Sequence, residues 1–184
     1  MKIIETGLPG LVVIEPRVFE DERGYFFESY QRDRYNDSGM DITFIQDNES
    51  KSVKGVLRGL HYQLDPYAQA KLVRVVQGCV YDVAVDLRKG SPTFGQWFGL
   101  ELDEKNKKQL FIPRGFAHGF SVLSETAIFT YKCDNYYNHE AERSINALDP
   151  KLGINWNLVG TTQIISEKDK QAPDFDNAEM NFVF

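Results

Sequence analysis

Three polar side chains fall where strand patterning would otherwise place apolar ones, and together they could move a proton. In Thr126-Ala-Ile-Phe-Thr-Tyr-Lys132, two-residue alternation puts Tyr131 on the face of Ala127 and Phe129, so its hydroxyl is expected to point into a barrel. In Gln69-Ala-Lys-Leu-Val-Arg-Val-Val76, Lys71 shares a face with Val73 and Val75, and Arg74 shares the other with Leu72 and Val76; one face must carry a cation inward. In Gly55-Val-Leu-Arg-Gly-Leu-His-Tyr-Gln63, the same alternation aligns His61 with Leu57, Gly59 and Gln63, and Gly59 is expected to let a ligand approach the backbone. An imidazole accepts a proton near neutral pH, a phenol with a pKa of about 10 keeps its own, and an ammonium stabilises an oxyanion. Such a set suits proton transfer beside a carbonyl. Each residue also has an ordinary structural reading: a hydrogen-bonded core tyrosine, a lysine snorkelling from a strand end, a histidine serving as a satisfied polar group. Only their joint occurrence in one barrel favours chemistry.

The elements that must hold them read as strands. Between about residues 42 and 132, short apolar stretches alternate with turn signals at Lys54-Gly55, Gln77-Gly78, Lys89-Gly-Ser-Pro92, Asp103 to Asn106, Pro113-Arg-Gly115 and Ser124-Glu125. In Val80 to Arg88, Tyr81, Val83, Val85 and Leu87 point one way and Asp82, Ala84 and Asp86 the other. Evenly spaced strands predict a sandwich, jelly roll or barrel. Helical patterns are confined to Gln31–Ser38, stopped by Gly39, and to a turn beginning near Ser166, whose hydroxyl could cap the backbone ahead of Asp169.

Length and composition bound the rest. At 184 residues with 42% hydrophobic and 26% charged, the chain is expected to fold as one unit, residues 1–184, with no repeat or linker. A net charge of -6 supplies no global basic field for nucleic acid or an anionic membrane, so an anionic ligand needs a local cation cluster. The apolar run Leu11–Ile14 is too short for a signal peptide, and no segment reaches a membrane span; the expected address is the cytoplasm. Cys79 and Cys133 form no CxxC pair and are expected to be buried, reduced thiols.

At these residues the chain resembles the dTDP-4-dehydrorhamnose 3,5-epimerase family. The resemblance runs through Asp21-Glu-Arg-Gly-Tyr-Phe-Phe-Glu28, Gln46-Asp-Asn48, Arg58-Gly-Leu-His-Tyr-Gln63, Lys71-Leu-Val-Arg-Val-Val-Gln-Gly78 and Asp82-Val-Ala-Val-Asp-Leu-Arg88. It continues through Pro113-Arg-Gly-Phe-Ala-His-Gly-Phe120, Tyr131-Lys132, Glu142-Arg143 and Ser166-Glu-Lys-Asp169. It implies an all-β, cupin-like jelly-roll barrel with a few short helices, homodimeric through exchanged N-terminal strands and needing no cofactor. The implied reaction inverts C3 and C5 of dTDP-4-dehydro-6-deoxy-D-glucose. The resemblance makes His61 the base, Asp169 its carboxylate partner and Tyr131 the acid; Lys71, with Arg58 as a helper, is the expected holder of the enolate oxygen, where a cation away from water is worth most. It assigns Arg23, Glu28, Gln46, Asn48, Arg58, Lys71, His118, Glu142 and Lys168 to substrate binding, with Arg23 supplied across a dimer. By themselves, Arg23 is an ordinary turn cation and Glu142 a solvated charge.

Pro113-Arg-Gly-Phe-Ala-His118 also resembles the second half of the general cupin signature, in which histidine commonly binds metal. The first half here reads His61-Tyr62-Gln63, with a neutral amide in place of a second histidine. Such a set would hold a transition metal poorly, so no metal is expected. Tyr25 and Tyr62 stand where the family often has phenylalanine, and Asn146-Ala-Leu-Asp-Pro150 departs from its usual segment. These departures bear on which centres are inverted, leaving a mono-epimerase or a 3,4-ketoisomerase as neighbouring readings. A metal-dependent cupin enzyme and a non-catalytic sugar-binding cupin stand further off. The roles of Tyr136 and Tyr137 stay open between base stacking, sugar contact and a polar loop.

Overall fold

The computed structural model describes residues Met1–Phe184. Its strands are Lys2–Glu5 (β1), Val12–Glu15 (β2), Val18–Asp21 (β3), Gly24–Phe27 (β4), Gln46–Val53 (β5), Leu57–Gln63 (β6) and Lys71–Gln77 (β7). They continue with Cys79–Asp86 (β8), Trp97–Asp103 (β9), Gln109–Ile112 (β10), Phe116–Val122 (β11), Thr126–Cys133 (β12) and Glu142–Ser144 (β13). Two short helices, Arg32–Asp37 (α1) and Glu167–Lys170 (α2), are capped by Gln31 and Ser166. The Ser166 hydroxyl accepts from the Asp169 N–H at 3.1 Å, as its spacing predicted.

A six-stranded sheet, β1-β2-β10-β7-β12-β5, faces a five-stranded one, β13-β6-β11-β8-β9, and β3-β4 stands apart as a hairpin. This is an all-β jelly roll, one of the arrangements the strand spacing allowed and the cupin-like one that the resemblance implied. Its interior is filled from both sheets by Val73, Val75, Leu110, Ala127 and Phe129 on one side and Val80, Ala84, Leu102, Phe116 and Phe120 on the other. The outer face of the five-stranded sheet is covered by the C-terminal segment, where Ile145, Leu152, Trp156, Phe175 and Phe182 pack on Leu60, Tyr62, Val83 and Val85. On the six-stranded sheet, Tyr35 of α1 and Met40 cover Val12, Ile14 and Leu72. The alternation in β8 is therefore real but buried on both faces: Val80 and Ala84 point into the barrel, and Val83 and Val85 toward the C-terminal cover.

The alternation expected in β6 breaks. Its neighbour β11 pairs His118 with His61 but Phe120 with Arg58, so β6 spends one extra residue at Gly59-Leu60 opposite Gly119. The bulge reverses the faces. Leu57 turns outward with Leu60 and Tyr62 into the C-terminal cluster, whereas Arg58 and His61, opposite inward-facing Phe120 and His118, turn into the barrel. His61 thus does not share a face with Leu57. Nor is Gly59 a floor left open for a ligand: a Cβ there would sit 2.6 Å from Gly119 Cα and 3.0 Å from the His118 carbonyl oxygen, with φ at +128°. Two backbones occupy that space. Cys133 is buried as expected, but Cys79 is only partly so.

Replacing Gly59 with alanine should force β6 from β11 and place an L side chain in an unfavourable backbone region. The expected loss is roughly 2–4 kcal/mol, read as a lower midpoint in denaturant unfolding. Unchanged stability would mean that the bulge does not depend on this close approach.

Candidate active site

One cavity of about 400 Å³ opens between the sheets, and His61, Lys71 and Tyr131 all line it, with Gln46, Asn48, Gln63, Gln69, Tyr137 and Glu142. Strands β6, β7 and β12 each contribute one of the three residues singled out by patterning. Tyr131 follows Phe129 up the inward face of β12, their rings 6.1 Å apart, and Phe129 stacks on Phe120 at 4.4 Å. This aromatic ladder fixes the depth at which the phenol sits. Burial pushes the Tyr131 hydroxyl above its ordinary value, nearby Cys133 adds to the rise, and the Arg58 charge works against it. A half-buried phenol of this kind stays protonated at neutral pH.

Lys71 points in beside Val73 and Val75, its ammonium 5.9 Å from the centre of the Tyr131 ring. Burial pulls its pKa down, opposed by Cys133 and by the carboxylates of Asp82 and Glu142. Arg58 is held by the Ser52 hydroxyl at 3.1 Å. Gln46 donates to Asn48 Oδ1 at 3.1 Å, which ties those two amides together on the β5 side. Asn48 and Tyr131 also border a second groove of about 360 Å³ that runs toward Ser29 and Arg74.

His61 is oriented from outside the cavity wall. Asp169 on α2 is 5% exposed, and its Oδ1 lies 2.7 Å from His61 Nε2. Burial would raise the Asp169 pKa, but the hydrogen bond and charge of His61, the Gly59 N–H and Ser166 outweigh it and hold the carboxyl below the usual range. An ionised carboxylate only accepts, so Nε2 carries the N–H and the neutral ring keeps its lone pair on Nδ1. That is the tautomer a base needs.

Glu142 on β13 accepts from the Tyr137 hydroxyl at 2.9 Å and pairs with Lys168. Burial would raise its pKa, but Lys168, Tyr137 and the His61 charge hold it low. Tyr137 is thereby placed at the cavity wall, a position its polar surroundings in the chain did not reveal. His118 lies behind the cavity, its Nε2 2.9 Å from Asp82 Oδ2. Arg23 and Glu28 are not brought to the cavity by this chain: Arg23 is paired with Asp21 at the tip of the β3-β4 hairpin, and Glu28 with Arg34. Gln69, also in the cavity wall, carried no signal beyond its place before β7.

The metal-dependent reading can be tested on the donors present. Gln63 Nε2 donates to the carbonyls of Tyr67 and Tyr136 at 2.6 and 3.2 Å, and its Oε1 accepts from the Asn138 N–H at 2.7 Å. Both histidines in the paired strands have Nε2 committed to a carboxylate. No three His, Cys, Asp or Glu side chains converge as ligands. The residues present do not fit a metal.

A jelly roll with a carboxylate-oriented imidazole, a half-buried phenol and a half-buried ammonium lining one cavity defines an acid–base isomerase. The dTDP-4-dehydrorhamnose 3,5-epimerase family model matches residues 5–177, and the chain belongs to that family. It is 51% identical over 180 residues to the dTDP-4-dehydrorhamnose 3,5-epimerase of Shigella flexneri, covering 97% of this chain and 98% of the relative. The crystal structure of the Elizabethkingia anophelis NUHP1 enzyme superposes with a TM-score of 0.92 at 54% identity, covering 96% of this chain and 97% of that one. The dTDP-6-deoxy-D-glucose-3,5-epimerase of Legionella pneumophila Philadelphia 1, in complex with dTDP-4-keto-L-rhamnose, gives 0.92 at 53% identity over 96% and 93%.

The depressed Asp169 pKa has a consequence for stability. A carboxyl lowered on folding stabilises the native state fully above its ordinary value of 3.8, and that contribution is lost as pH falls through the lower folded value. Asp169→Asn should therefore cost about 1 kcal/mol at neutral pH and lose less stability than the parent on acidification below about pH 4, by urea unfolding across pH. Parallel curves for the two proteins would contradict the assigned charge state.

Proposed function

We propose that the chain inverts C3 and C5 of dTDP-4-dehydro-6-deoxy-D-glucose to give dTDP-4-dehydro-L-rhamnose. The observation that carries this reading is the convergence of the Asp169-oriented His61, Tyr131 and Lys71 on one cavity in a member of this family. Both carbons flank the C4 ketone, so losing a proton there places the electron pair on the carbonyl oxygen as an enolate. His61 Nδ1 takes that proton, and Asp169 stabilises the imidazolium that results. Lys71 faces the enolate oxygen, where its charge is worth most away from water, with Arg58 beside it. Tyr131 returns a proton to the opposite face of the carbon; solvent then takes the proton from the His61 imidazolium and restores the one lost by Tyr131. The ketone itself supplies the electron sink, so the proton path we propose runs entirely through these side chains.

Gln46, Asn48, His118, Glu142 and Lys168 serve substrate binding in this reading, with Lys168 tied to the cavity lining through its pair with Glu142. Arg23 and Glu28 reach the substrate only in a homodimer formed through the N-terminal strands. In support, the β3-β4 hairpin pairs with neither main sheet and leaves Phe19, Tyr25 and Phe26 exposed at 50%, 55% and 70%. We assign the chain, residues 1–184, to one catalytic unit. No helix is long and apolar enough to cross a membrane. The free thiols Cys79 and Cys133 suit the reducing cytoplasm.

Incubation with the 4-keto sugar nucleotide in deuterated water, followed by NMR, tests the reading. Deuterium should enter C3 and C5 with inversion at both. His61→Ala should abolish exchange, a loss of about 10²–10⁴-fold or more, while Tyr131→Phe should allow some exchange with little inversion. Exchange at one carbon would make the chain a mono-epimerase, migration of the ketone a 3,4-ketoisomerase, and no exchange a sugar-binding protein. Normal inversion by Tyr131→Phe would remove Tyr131 as the acid.

A further inference from the structure

Asp82 is fully buried, and the proton path proposed above gives it no part. It lies on the inward face of β8 with Val80 and Ala84, both members of the barrel's interior cluster. Its carboxylate oxygens lie 3.1 and 2.9 Å from His118 Nε2. Strand register builds this pair: β11 sets Phe120 opposite Asp82 and His118 opposite Ala84, while its other edge sets His118 opposite His61. His118 is further fixed by stacking on Phe129 at 5.9 Å. From the facing sheet, Lys71 enters the same interior beside Val73 and Val75.

A buried carboxylate is costly alone, and so is an ammonium drawn half out of water, so charges enclosed near them stabilise both. The remaining carboxylates near the cavity are committed elsewhere, Asp169 to His61 and Glu142 to Lys168 and Tyr137. We propose that Asp82 is a positioning residue: anchoring His118 and facing Lys71, it is the counter-charge that keeps a cation at the inner end of the cavity, where the enolate oxygen develops. The inference rests on the epimerase reading and deepens it.

The groups facing Lys71 are Asp82 from β8, Tyr131 and Cys133 from β12, and Glu142 from β13, with His61 and His118 on the adjoining β6 and β11. Burial lowers Lys71 while Asp82, Cys133 and Glu142 support its charge; burial raises Tyr131, and raises Cys133 to about 11. In this proposal the alkaline limb of the rate reads the charge on Lys71, the one cation of this group set against the enolate oxygen. Asp82 itself is raised by burial and pulled back by His118 and Lys71. Removing its charge leaves Lys71 to lose its proton at lower pH.

The test is the rate of C3 deuterium exchange against pH in the parent, Asp82→Asn and His118→Gln, with folding checked by circular dichroism. Asp82→Asn should lower kcat about tenfold or more with KM little changed, and move the alkaline limb down by about one pH unit. A purely structural role would lower the melting temperature and leave that limb in place. His118→Gln frees Asp82 to face Lys71 alone, so its limb should stay or move up; this variant decides the matter if Asp82→Asn does not fold. An unmoved limb in folded Asp82→Asn, or a downward shift in His118→Gln, would overturn the proposal. Absence of exchange in the parent would instead overturn the epimerase reading beneath it.

Discussion

An ionised carboxylate sealed behind an imidazole is the interaction on which the site depends. Asp169 is 5% exposed, and its bond to His61 Nε2, at 2.7 Å, decides which ring nitrogen carries the proton and which faces the cavity. Isolated, such a carboxylate would be expelled or neutralised, because burial disfavours its charge. Here the Gly59 N–H at 3.4 Å and the cap of α2 share the load. The bulge that turns His61 inward also aims that Gly59 N–H at Asp169. Backbone geometry and charge stabilisation are thus parts of one arrangement.

The barrel extends this logic to its other charges. Lys71 and Asp82 come from opposite sheets into an apolar interior, while Glu142 and Lys168 close a pair near the mouth. Aromatic stacking of Phe120, Phe129 and His118 sets the floor beneath them. A cavity walled in this way excludes water where an enolate would form, and the fixed charges need little rearrangement to meet it. The same walls explain why Gln63 is unsuited to metal binding: its amide ties the loop after β12 to the turn after β6.

Much of this was legible in the chain because it rests on local periodicity. Turn signals marked the ends of β5 and of β7 through β11, and Ser166 announced α2 three residues before Asp169. The inward placement of Tyr131 followed from alternation with residues that fill the core, whereas in β7 alternation left Lys71 and Arg74 as alternatives, and burial of Val73 and Val75 in the barrel interior decides for Lys71. His61 was placed by the same rule, yet for the wrong reason: the extra residue at Gly59-Leu60 is set by the approach of Gly119 on another strand, which no local pattern encodes. The Asp82–His118 pair and the Tyr137–Glu142–Lys168 cluster likewise exist only through register and loop closure between distant segments. The β3-β4 hairpin is legible as strands but not as a site element, since its Arg23 meets only Asp21 within one chain.

The central claim is geometric: a base and an acid on opposite faces of one sugar ring. A crystal structure of the His61→Asn variant holding the 4-keto sugar nucleotide tests it most directly. The account requires the ring between residue 61 and the Tyr131 hydroxyl, with the keto oxygen turned toward Lys71. A sugar bound with both side chains on the same face, or seated outside this cavity, would contradict it.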